Sequence, residues 1–526
     1  MNIHQNYNDM KKSLFLQLSV LAVLIVFVSS CSQKAAEYTN AIPANASGVV
    51  SINLKTLAEK AGVNDKENKE ALIKLTEAMK SGMNAATFQQ LEAVMKDPSK
   101  SGVDVTAPVY IFKAPTFDYT TLVAKVIDED ELKNFLEVTQ KELSNAPITE
   151  GDGYSLIQIT KQSLVAFNAS TLLAVDYNNA AQLDKIKEGI TSLLKQTEEN
   201  SINQSEAFKK MQKQSGEVNM FFSPSGVLGA YTKQINFGMP KDIDLKDLII
   251  LGSLSFEKGK IEMVIKNHTE NPELKAMLAR QIKSTRPIEN TFLKYFPKST
   301  VGLLSIGVNG EEFYNLLQEN EQFRNEFSIT KADEIKNLFS TFQNDLTIGL
   351  INITMSKAPS FLAYASIQNN VSLKDLYEKK DQLGLSRGDD IVKLTDNDYV
   401  YKSRSLNIFF GIRDKQMYAT NDEILYKNIC KDVDPSAKDT NYASEIKGKR
   451  SAIVINAEAI LELPIVKMLV GYGGAEYNMY YSLGSNISYL EATSESDEAH
   501  ITLQLKDKNV NALKQVANFV KEFAGM

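Results

Sequence analysis

The sequence predicts an α+β protein built from two copies of one domain, each with a mainly antiparallel sheet and helices packed on it. Three observations predict this class. Residues 42–54 recur as residues 296–308, with Pro, Gly, Ser and Ile at matching positions. Short apolar runs separated by turns alternate with amphipathic segments, and their order in the first half returns in the second. Because consecutive runs are joined by short turns, antiparallel pairing is favoured.

The elements of the first half follow from hydrophobic periodicity. The opening run is entered through Pro43 and Gly48, which is typical of a buried strand that begins a domain. Apolar residues three and four apart predict helices at 55–61, 66–81, 85–96, 131–143, 181–195, 205–214 and 272–283. Short apolar or alternating runs predict strands at 108–112, 121–127, 154–159, 163–168, 172–176, 218–222, 249–256 and 261–266.

The second half repeats this order with small changes in spacing. Matching residues are 254 apart at Pro43 and Pro297, and 240 apart at Ile261 and Ile501, so we expect the insertions and deletions to lie in loops. We therefore predict a first domain at residues 41–290 and a second at 291–526.

The N-terminus has the pattern of a lipoprotein signal peptide over residues 1–30. Lys11 and Lys12 precede an apolar run at 14–28, which is shorter than the roughly 20 residues of a spanning helix. Val28-Ser29-Ser30-Cys31 then resembles the lipobox of bacterial lipoproteins. The resemblance implies cleavage before Cys31 and lipidation of its sulfur; a simple secretory signal is the alternative. Residues 31–40 would form the tether, and the membrane would be a partner through the anchor.

The residues after the anchor bear on location. Ser32 stands where an Asp would resemble an inner-membrane retention signal, which favours the outer membrane. Glu37 is the only acid in the tether, whereas acid-rich residues there would resemble a surface-export signal. We expect a protein that faces the periplasm rather than the exterior.

Composition and residue patterns exclude several classes. The chain has 58 Lys and Arg against 65 Asp and Glu, interspersed, so nucleic acid is not an expected partner. Cys430 would be the only other cysteine, which rules out an intramolecular disulfide; we expect it to be buried and unreactive. His268 and His500 are expected in exposed turns. Without a Cys/His cluster, a G-x-S-x-G elbow or a P-loop, the sequence predicts no metal, cofactor or catalytic residue.

One stretch indicates a contact surface by its composition. Residues 471–481 are rich in Gly and Tyr, and residues 226–239 occupy the same place in the first half. We expect loops here, because glycine with tyrosine is typical of adaptable contact surfaces; the alternative is that the aromatic side chains are core. The candidate binding residues are Tyr231, Phe237, Tyr472, Tyr477, Tyr480 and Tyr481.

Several segments resemble a known family. Tyr38-Thr39-Asn40-Ala41-Ile42-Pro43-Ala44, Val49-Val50-Ser51-Ile52, Asn64-Asp65-Lys66-Glu67-Asn68-Lys69 and Ala166-Phe167-Asn168 with Leu172-Leu173-Ala174-Val175 are similar to an uncharacterised lipoprotein family of the Bacteroidota, domain of unknown function four-eight-three-six. The resemblance implies location and architecture, with no activity or site residues. The expectation is a lipid-anchored envelope protein that acts without catalysis, as a structural component or by binding an envelope protein through the domain interface and the Gly/Tyr loops. An envelope hydrolase or glycan-handling enzyme whose site lacks local motifs is the alternative.

Overall fold

The fold is α+β, as the sequence predicts. The computed structural model describes residues 37–143, 147–160, 162–177, 180–225, 245–319, 332–355, 358–368, 373–382, 385, 388–472 and 474–524. The strands of this part of the chain pair in antiparallel ladders. Mixed hairpins and helices therefore give the predicted α+β class rather than a parallel sheet.

The helices and strands have the following bounds. The helices are α1 (Leu54–Ala61), α2 (Lys69–Gly82), α3 (Ala85–Lys96), α4 (Glu129–Leu143), α5 (Leu183–Leu194), α6 (Glu206–Gln212), α7 (Pro272–Ser284), α8 (Gly310–Glu319), α9 (Ala332–Ser340), α10 (Lys374–Glu378), α11 (Glu423–Lys427), α12 (Tyr442–Ile446), α13 (Ala457–Glu462), α14 (Pro464–Tyr472), α15 (Gly474–Ser485) and α16 (Ala512–Ala524). The strands up to residue 286 are β1 (Gly48–Ile52), β2 (Val109–Ala114), β3 (Phe117–Lys125), β4 (Thr149–Glu150), β5 (Ser155–Thr160), β6 (Ser163–Phe167), β7 (Thr171–Asp176), β8 (Val218–Phe222), β9 (Ile249–Glu257), β10 (Lys260–His268) and β11 (Thr285–Arg286). The later strands are β12 (Gly302–Asn309), β13 (Phe342–Asn352), β14 (Ser360–Ile367), β15 (Asp390–Lys393), β16 (Asp398–Lys402), β17 (Asn407–Arg413), β18 (Gln416–Thr420), β19 (Ser451–Asn456), β20 (Ile487–Ser494) and β21 (Glu498–Leu505).

The predicted strands and helices of the first half are all present, with ends that differ by a few residues. The repeated Pro-Gly segment forms β1 and β12, and each of these strands is paired on both sides. A strand with two neighbours has all its inner backbone groups paired, so its apolar side chains can be buried. The prediction that this segment forms a strand is confirmed, although only Val49 of β1 is fully buried.

The chain divides into two compact units. Of the described residues, the first contains those within 37–225, 249–258 and 509–524, and the second contains those within 245–248 and 259–508. The strand order in the first unit is β4-β5-β6-β7-β3-β2-β1-β8-β9. The order in the second unit is β15-β16-β17-β18-β14-β13-β12-β19-β20-β21-β10, with β11 beside β12.

The units therefore share one strand order but do not coincide with the two halves of the chain. β10 and α7 belong to the first half of the sequence and lie in the second unit, whereas α16 ends the chain and lies in the first. The predicted domain boundary between residues 290 and 291 stays a prediction.

In each unit a terminal helix packs on the helix that follows the central strand. In the first unit α16 packs on α1, and the Nζ of Lys514 lies 2.7 Å from an Asp65 carboxylate oxygen. Lys521 donates to the side-chain oxygen of Asn68. In the second unit α7 packs on α8, where Arg280 pairs with Glu319 at 2.9 Å. These contacts attach the terminal helices to elements far away in the sequence.

Both faces of the first unit's sheet are covered. On one face α5 and α6 pack over Tyr110, Phe112 and Phe221. On the other face α2, α3 and α4 pack over side chains of β3, β5 and β6. Gly102 allows the chain to pass close to the start of α4. Its φ is +73°, and a Cβ there would lie 2.4 Å from the backbone nitrogen of Leu132.

The predicted positions of both histidines are wrong. His268 is the last residue of β10, and His500 lies inside β21, half-buried, with its ring 3.5 Å from Glu262 and 3.4 Å from Glu498. The apolar residues predict shorter strands than the structure has. Lys266 pairs with Glu498, so β10 and β21 continue through these polar positions and include the histidines. Among the described residues, no helix is both long enough and apolar enough to cross a membrane.

One ion pair with a buried carboxylate joins the strands of the second unit's meander, β15 to β18. The carboxylate of Asp398, at the start of β16, is 4% exposed. It accepts hydrogen bonds from Arg413 at 2.9 Å, from the Tyr418 hydroxyl at 2.5 Å and from the Thr395 hydroxyl at 2.8 Å. Burial alone would raise the pKa of Asp398, but the bonds from these three side chains together hold that pKa below its ordinary value.

We predict that Asp398→Asn lowers the free energy of unfolding of the second unit by about 2–3 kcal/mol at pH 7, because the amide leaves Arg413 without its charged partner. Since the folded pKa is lowered, the stabilisation is present above the ordinary pKa of about 3.9 and is lost as the pH falls below it. Urea unfolding of both proteins at pH 7 and pH 3 measures this.

The matched control is Asp396→Asn, because Asp396 pairs with Lys393 while its side chain is 96% exposed. We expect no measurable change there, because an ion pair in solvent contributes little to stability. Equal losses in the two variants at pH 7 would contradict the assignment of the buried pair.

Candidate functional site

The site begins where β19 ends, a strand that is paired on both edges. Asn456 closes this strand, and its side-chain oxygen accepts the backbone N–H of Ala459 at 3.1 Å, which caps α13. Leu463 ends α13, and Pro464 occupies the first position of α14, where its missing N–H costs nothing. Sequence-local rules therefore set two short helices directly after a core strand.

The next two helices expose their apolar side chains. No residue of α14 is buried among those described. Ile465 and Val466 are partly buried against Val301 and Leu463, which fixes one side of the helix. Both helices also expose large apolar side chains. These are Met468, Leu469 and Tyr472 on α14, and Tyr477, Tyr480 and Leu483 on α15. We call α14 and α15 together the apolar helix pair.

The apolar helix pair carries little charge. Lys467 and Glu476 are the only charged residues in the sequence from 464 to 485. The Lys467 ammonium lies 2.5 Å from a carboxylate oxygen of Glu462 on α13, so its charge is compensated at the edge of the pair. Exposed apolar side chains with few charges among them are typical of interaction surfaces.

The predicted binding residues have different positions. Tyr472 is 89% exposed, Tyr477 and Tyr480 are exposed, and Tyr481 is half-buried, so the first three are not core residues. Cys31, Tyr231 and Phe237 lie outside the described residues. Whether any of these residues binds a partner stays a prediction.

The expectation of a loop over residues 471–481 is wrong, because the stretch is helical on both sides of residue 473. Its glycines are confined to the helix ends: Gly471 lies in the last turn of α14, and Gly474 takes a φ of +73° where α15 starts. The Tyr, Met and Leu residues between Gly474 and Ser485 tolerate a helix, so composition alone misled the prediction.

A cavity of about 560 Å³ lies beside α13 in the second unit. Its apolar wall includes Tyr442 and Tyr489, whose rings meet edge to face at 5.7 Å between centroids. Its polar wall includes Lys298, and the hydroxyl of Ser488 donates to Glu458 at 2.9 Å. The cavity could hold a small polar molecule with an apolar side.

One buried acid nearby is unusual. Glu491 on β20 is 7% exposed, and one of its carboxylate oxygens is buried without a hydrogen-bond partner among the described residues. Burial, followed by the charge of Glu445, raises the pKa of Glu491 to about 7. Lys449 and Lys260 lower this pKa but do not compensate for the burial.

Cys430 is half-buried rather than buried, and it is a free thiol. Its backbone N–H donates to the Tyr364 hydroxyl at 3.0 Å, and its Sγ lies 3.8 Å from a side-chain oxygen of Gln416. Burial raises the pKa of the Cys430 thiol, which keeps it protonated and slow to react at neutral pH. The described residues contain no group of three or more His, Cys, Asp or Glu placed to hold a metal ion.

Comparisons with known proteins give a family and little more. The family model described as "Domain of unknown function (DUF4836)" matches residues 38–513. No curated protein matches the chain. Of solved structures, crystal form IV of TP0453 is similar over 44% of this chain and 81% of that chain, at 10% identity and a TM-score of 0.26. Crystal form I of TP0453 is similar over 49% and 89%, at 11% identity and a TM-score of 0.23. Superpositions at such TM-scores do not establish a shared fold.

We predict that Glu491→Gln makes the second unit more stable at high pH. The folded pKa of about 7 lies above the ordinary value of 4.5, so the folded protein binds more protons between these values and its stability falls as the pH rises from about 4.5 to about 7. The glutamine removes this loss, which corresponds to about 3 kcal/mol at pH 8 relative to pH 4. Urea unfolding across this pH range measures the difference.

Glu423→Gln on α11 is the control, because the side chain of Glu423 is 64% exposed. Its pH dependence should match that of the parent protein. A Glu491→Gln profile parallel to the parent profile would contradict the buried-acid assignment.

Proposed function

This chain belongs to the DUF4836 family, whose function is unknown, and we propose that it is a lipid-anchored protein of the cell envelope that acts by binding rather than by catalysis. The observation that carries the binding role is the apolar helix pair, which presents Tyr472, Met468 and neighbouring apolar side chains to solvent. Tyrosine supplies large contact area at small entropic cost, and uncharged apolar area favours association with another surface.

The anchoring role is supported by the start of the folded part of the chain. Tyr38 is buried and its hydroxyl donates to the Pro108 carbonyl at 2.9 Å, and Ala41 and Ile42 are buried in the same core. Only residues 32–36 lie between Cys31 and the first described residue, so even a fully extended tether spans about 20 Å. A lipid on Cys31 would hold the first unit at the membrane surface. We propose the outer membrane, with the protein facing the periplasm.

We also propose that the chain arose by tandem duplication of one domain. The shared strand order of the two units supports this origin, since β1 to β9 correspond in order to β12 to β20. The paired strands β10 and β21 correspond as well. Lys260 and Val264 lie 240 positions before His500 and Gln504, so this shift exchanges the pair Lys260–Gln504 with the pair Val264–His500.

The second candidate is an envelope hydrolase or glycan-handling enzyme. The observation that favours it is the contact of Ser488 with Glu458 in the 560 Å³ cavity, on whose lining Lys298 also lies. Binding by the apolar helix pair is preferred, because a serine needs an oriented base to become a nucleophile, and Glu458 is exposed on a short helix. Hydrolysis of a fluorogenic ester that is lost in Ser488→Ala would favour the enzyme instead.

We predict that Cys31→Ala releases the protein from membranes into the soluble fraction, because several acyl chains at about 0.8 kcal/mol per buried methylene provide the anchor. Fractionation followed by immunoblotting measures the distribution, and the Ser32→Ala variant is the control. Retention of Cys31→Ala on the membrane would contradict lipid anchoring.

We predict that a photoreactive phenylalanine analogue at position 472 crosslinks one dominant protein in the native envelope, because Tyr472 projects from the apolar helix pair. The same analogue at position 424 is the control, since Ile424 is 72% exposed on α11. A second substitution, Met468→Ser, should reduce the crosslink at least fivefold with no change in melting temperature. Identical crosslinking patterns from positions 472 and 424 would contradict the proposed surface.

A further inference from the structure

A second apolar surface lies on the sheet of the second unit. The strand registers place six side chains in one row across neighbouring strands: Ile348, Leu304, Ile453, Ala492, Ile501 and Met263. The positions two residues away on either side of this row, on the same six strands, carry only Leu, Ile, Gly, Ala and Ser. We call this area of β13, β12, β19, β20, β21 and β10 the uncharged sheet face.

This face lacks the polar residues expected on the solvent-exposed side of an antiparallel sheet. Antiparallel sheets that face water on one side alternate apolar and polar residues. The opposite face of the same strands is also apolar near β12 and β19, where Leu303 and Val454 are core residues. Both sides of these strands are therefore built for burial, although Ile453 is 52% exposed and Ile348, Ile455 and Ile501 are exposed.

Helices cover the ends of the uncharged sheet face and leave its middle open. At one end, Phe313 of α8 and Leu338 of α9 pack against Ile306 and Leu346. At the other end, Ile460 of α13 and Ile465 of α14 belong to the same cluster as Leu350. Between these helices the middle of the face stays open, with Ile348, Ile453 and Ile501 exposed. This open strip crosses six strands at about 4.8 Å spacing and is therefore about 24 Å long, and we call it the trough.

The chemistry of the trough selects its occupant. Its floor offers aliphatic side chains, and the floor strands are paired along the ladder, so an incoming peptide finds no free strand edge there. The row also has no Tyr, Trp or Arg, the residues that anchor most protein partners. The strip is uncharged, and the hydroxyls of its two serines, Ser451 and Ser494, bond to each other. It therefore matches a hydrocarbon chain, which needs no hydrogen-bonding partner.

We propose that this trough binds the acyl chain of a lipid. The inference goes beyond the proposed function, because the apolar helix pair and the uncharged sheet face are different surfaces and either could act without the other. Each buried methylene should raise the affinity by up to about fourfold, so binding should strengthen steadily with chain length.

The experiment uses the full chain with Cys31→Ala, so that no anchor of its own competes. The protein is titrated with a dansyl-labelled fatty acid, whose emission rises in an apolar site, and the probe is then displaced with laurate, myristate and palmitate. We expect saturable binding and displacement that improves from laurate to palmitate.

Two substitutions place a charge on the floor at exposed positions, Ile453→Lys and Ile501→Lys. Each should weaken probe binding at least tenfold, whereas Ile453→Leu should bind as the parent does. Ile424→Lys is the matched control, because it adds the same charge at an exposed isoleucine outside the trough. Circular dichroism and the melting temperature verify that each variant is folded.

Absence of saturable binding by the parent, or equal weakening by Ile453→Lys and Ile424→Lys, would overturn the proposal. So would a concentration-dependent dimer in sedimentation that Ile453→Lys abolishes while the probe does not bind, since a second copy would then cover the face. Loss of the position-472 crosslink with retained probe binding would reject the binding role of the apolar helix pair and leave the lipid trough standing.

Discussion

The architecture of this protein depends on one constraint, that strands with apolar side chains on both faces must be covered on both faces. β1 and β12 are paired on both edges and lie inside the sheets of the two units. Helices meet this constraint in both units: α5 and α6 cover Phe112, and α8 and α9 cover Leu346. The middle of the uncharged sheet face is where the described helices leave the constraint unmet, which is why a ligand is the natural explanation there.

The second unit also shows how burial acts differently on two acids. Asp398 and Glu491 are both buried, and burial pushes both pKa values upward. Arg413, Tyr418 and Thr395 donate to Asp398 and reverse that effect, whereas Glu491 keeps one oxygen without a partner. The first acid is a charged crosslink between strands of the meander. The second destabilises the folded protein when it is ionised, and protonation of its carboxylate removes that cost.

The two proposed surfaces suit a protein held at a membrane. Each exposes apolar side chains, and in a freely diffusing protein such surfaces would favour aggregation. The apolar helix pair presents tyrosines and a compensated lysine, which fit contact with another protein. The uncharged sheet face presents only aliphatic and small side chains, which fit hydrocarbon. Their chemistry separates them even though both are apolar.

The sequence by itself determined the α+β class, the first-half strands and helices, and the repeated opening strand, because side-chain periodicity and turn residues act over a few positions. It also indicated Tyr472, Tyr477 and Tyr480 as candidates, although it predicted a loop where α14 and α15 form. The tertiary structure alone decided which apolar residues stay exposed, how far β10 and β21 extend over the histidines, and where α16 packs. These outcomes depend on pairings such as Lys266 with Glu498 and Lys514 with Asp65, between residues hundreds of positions apart, which no local pattern records.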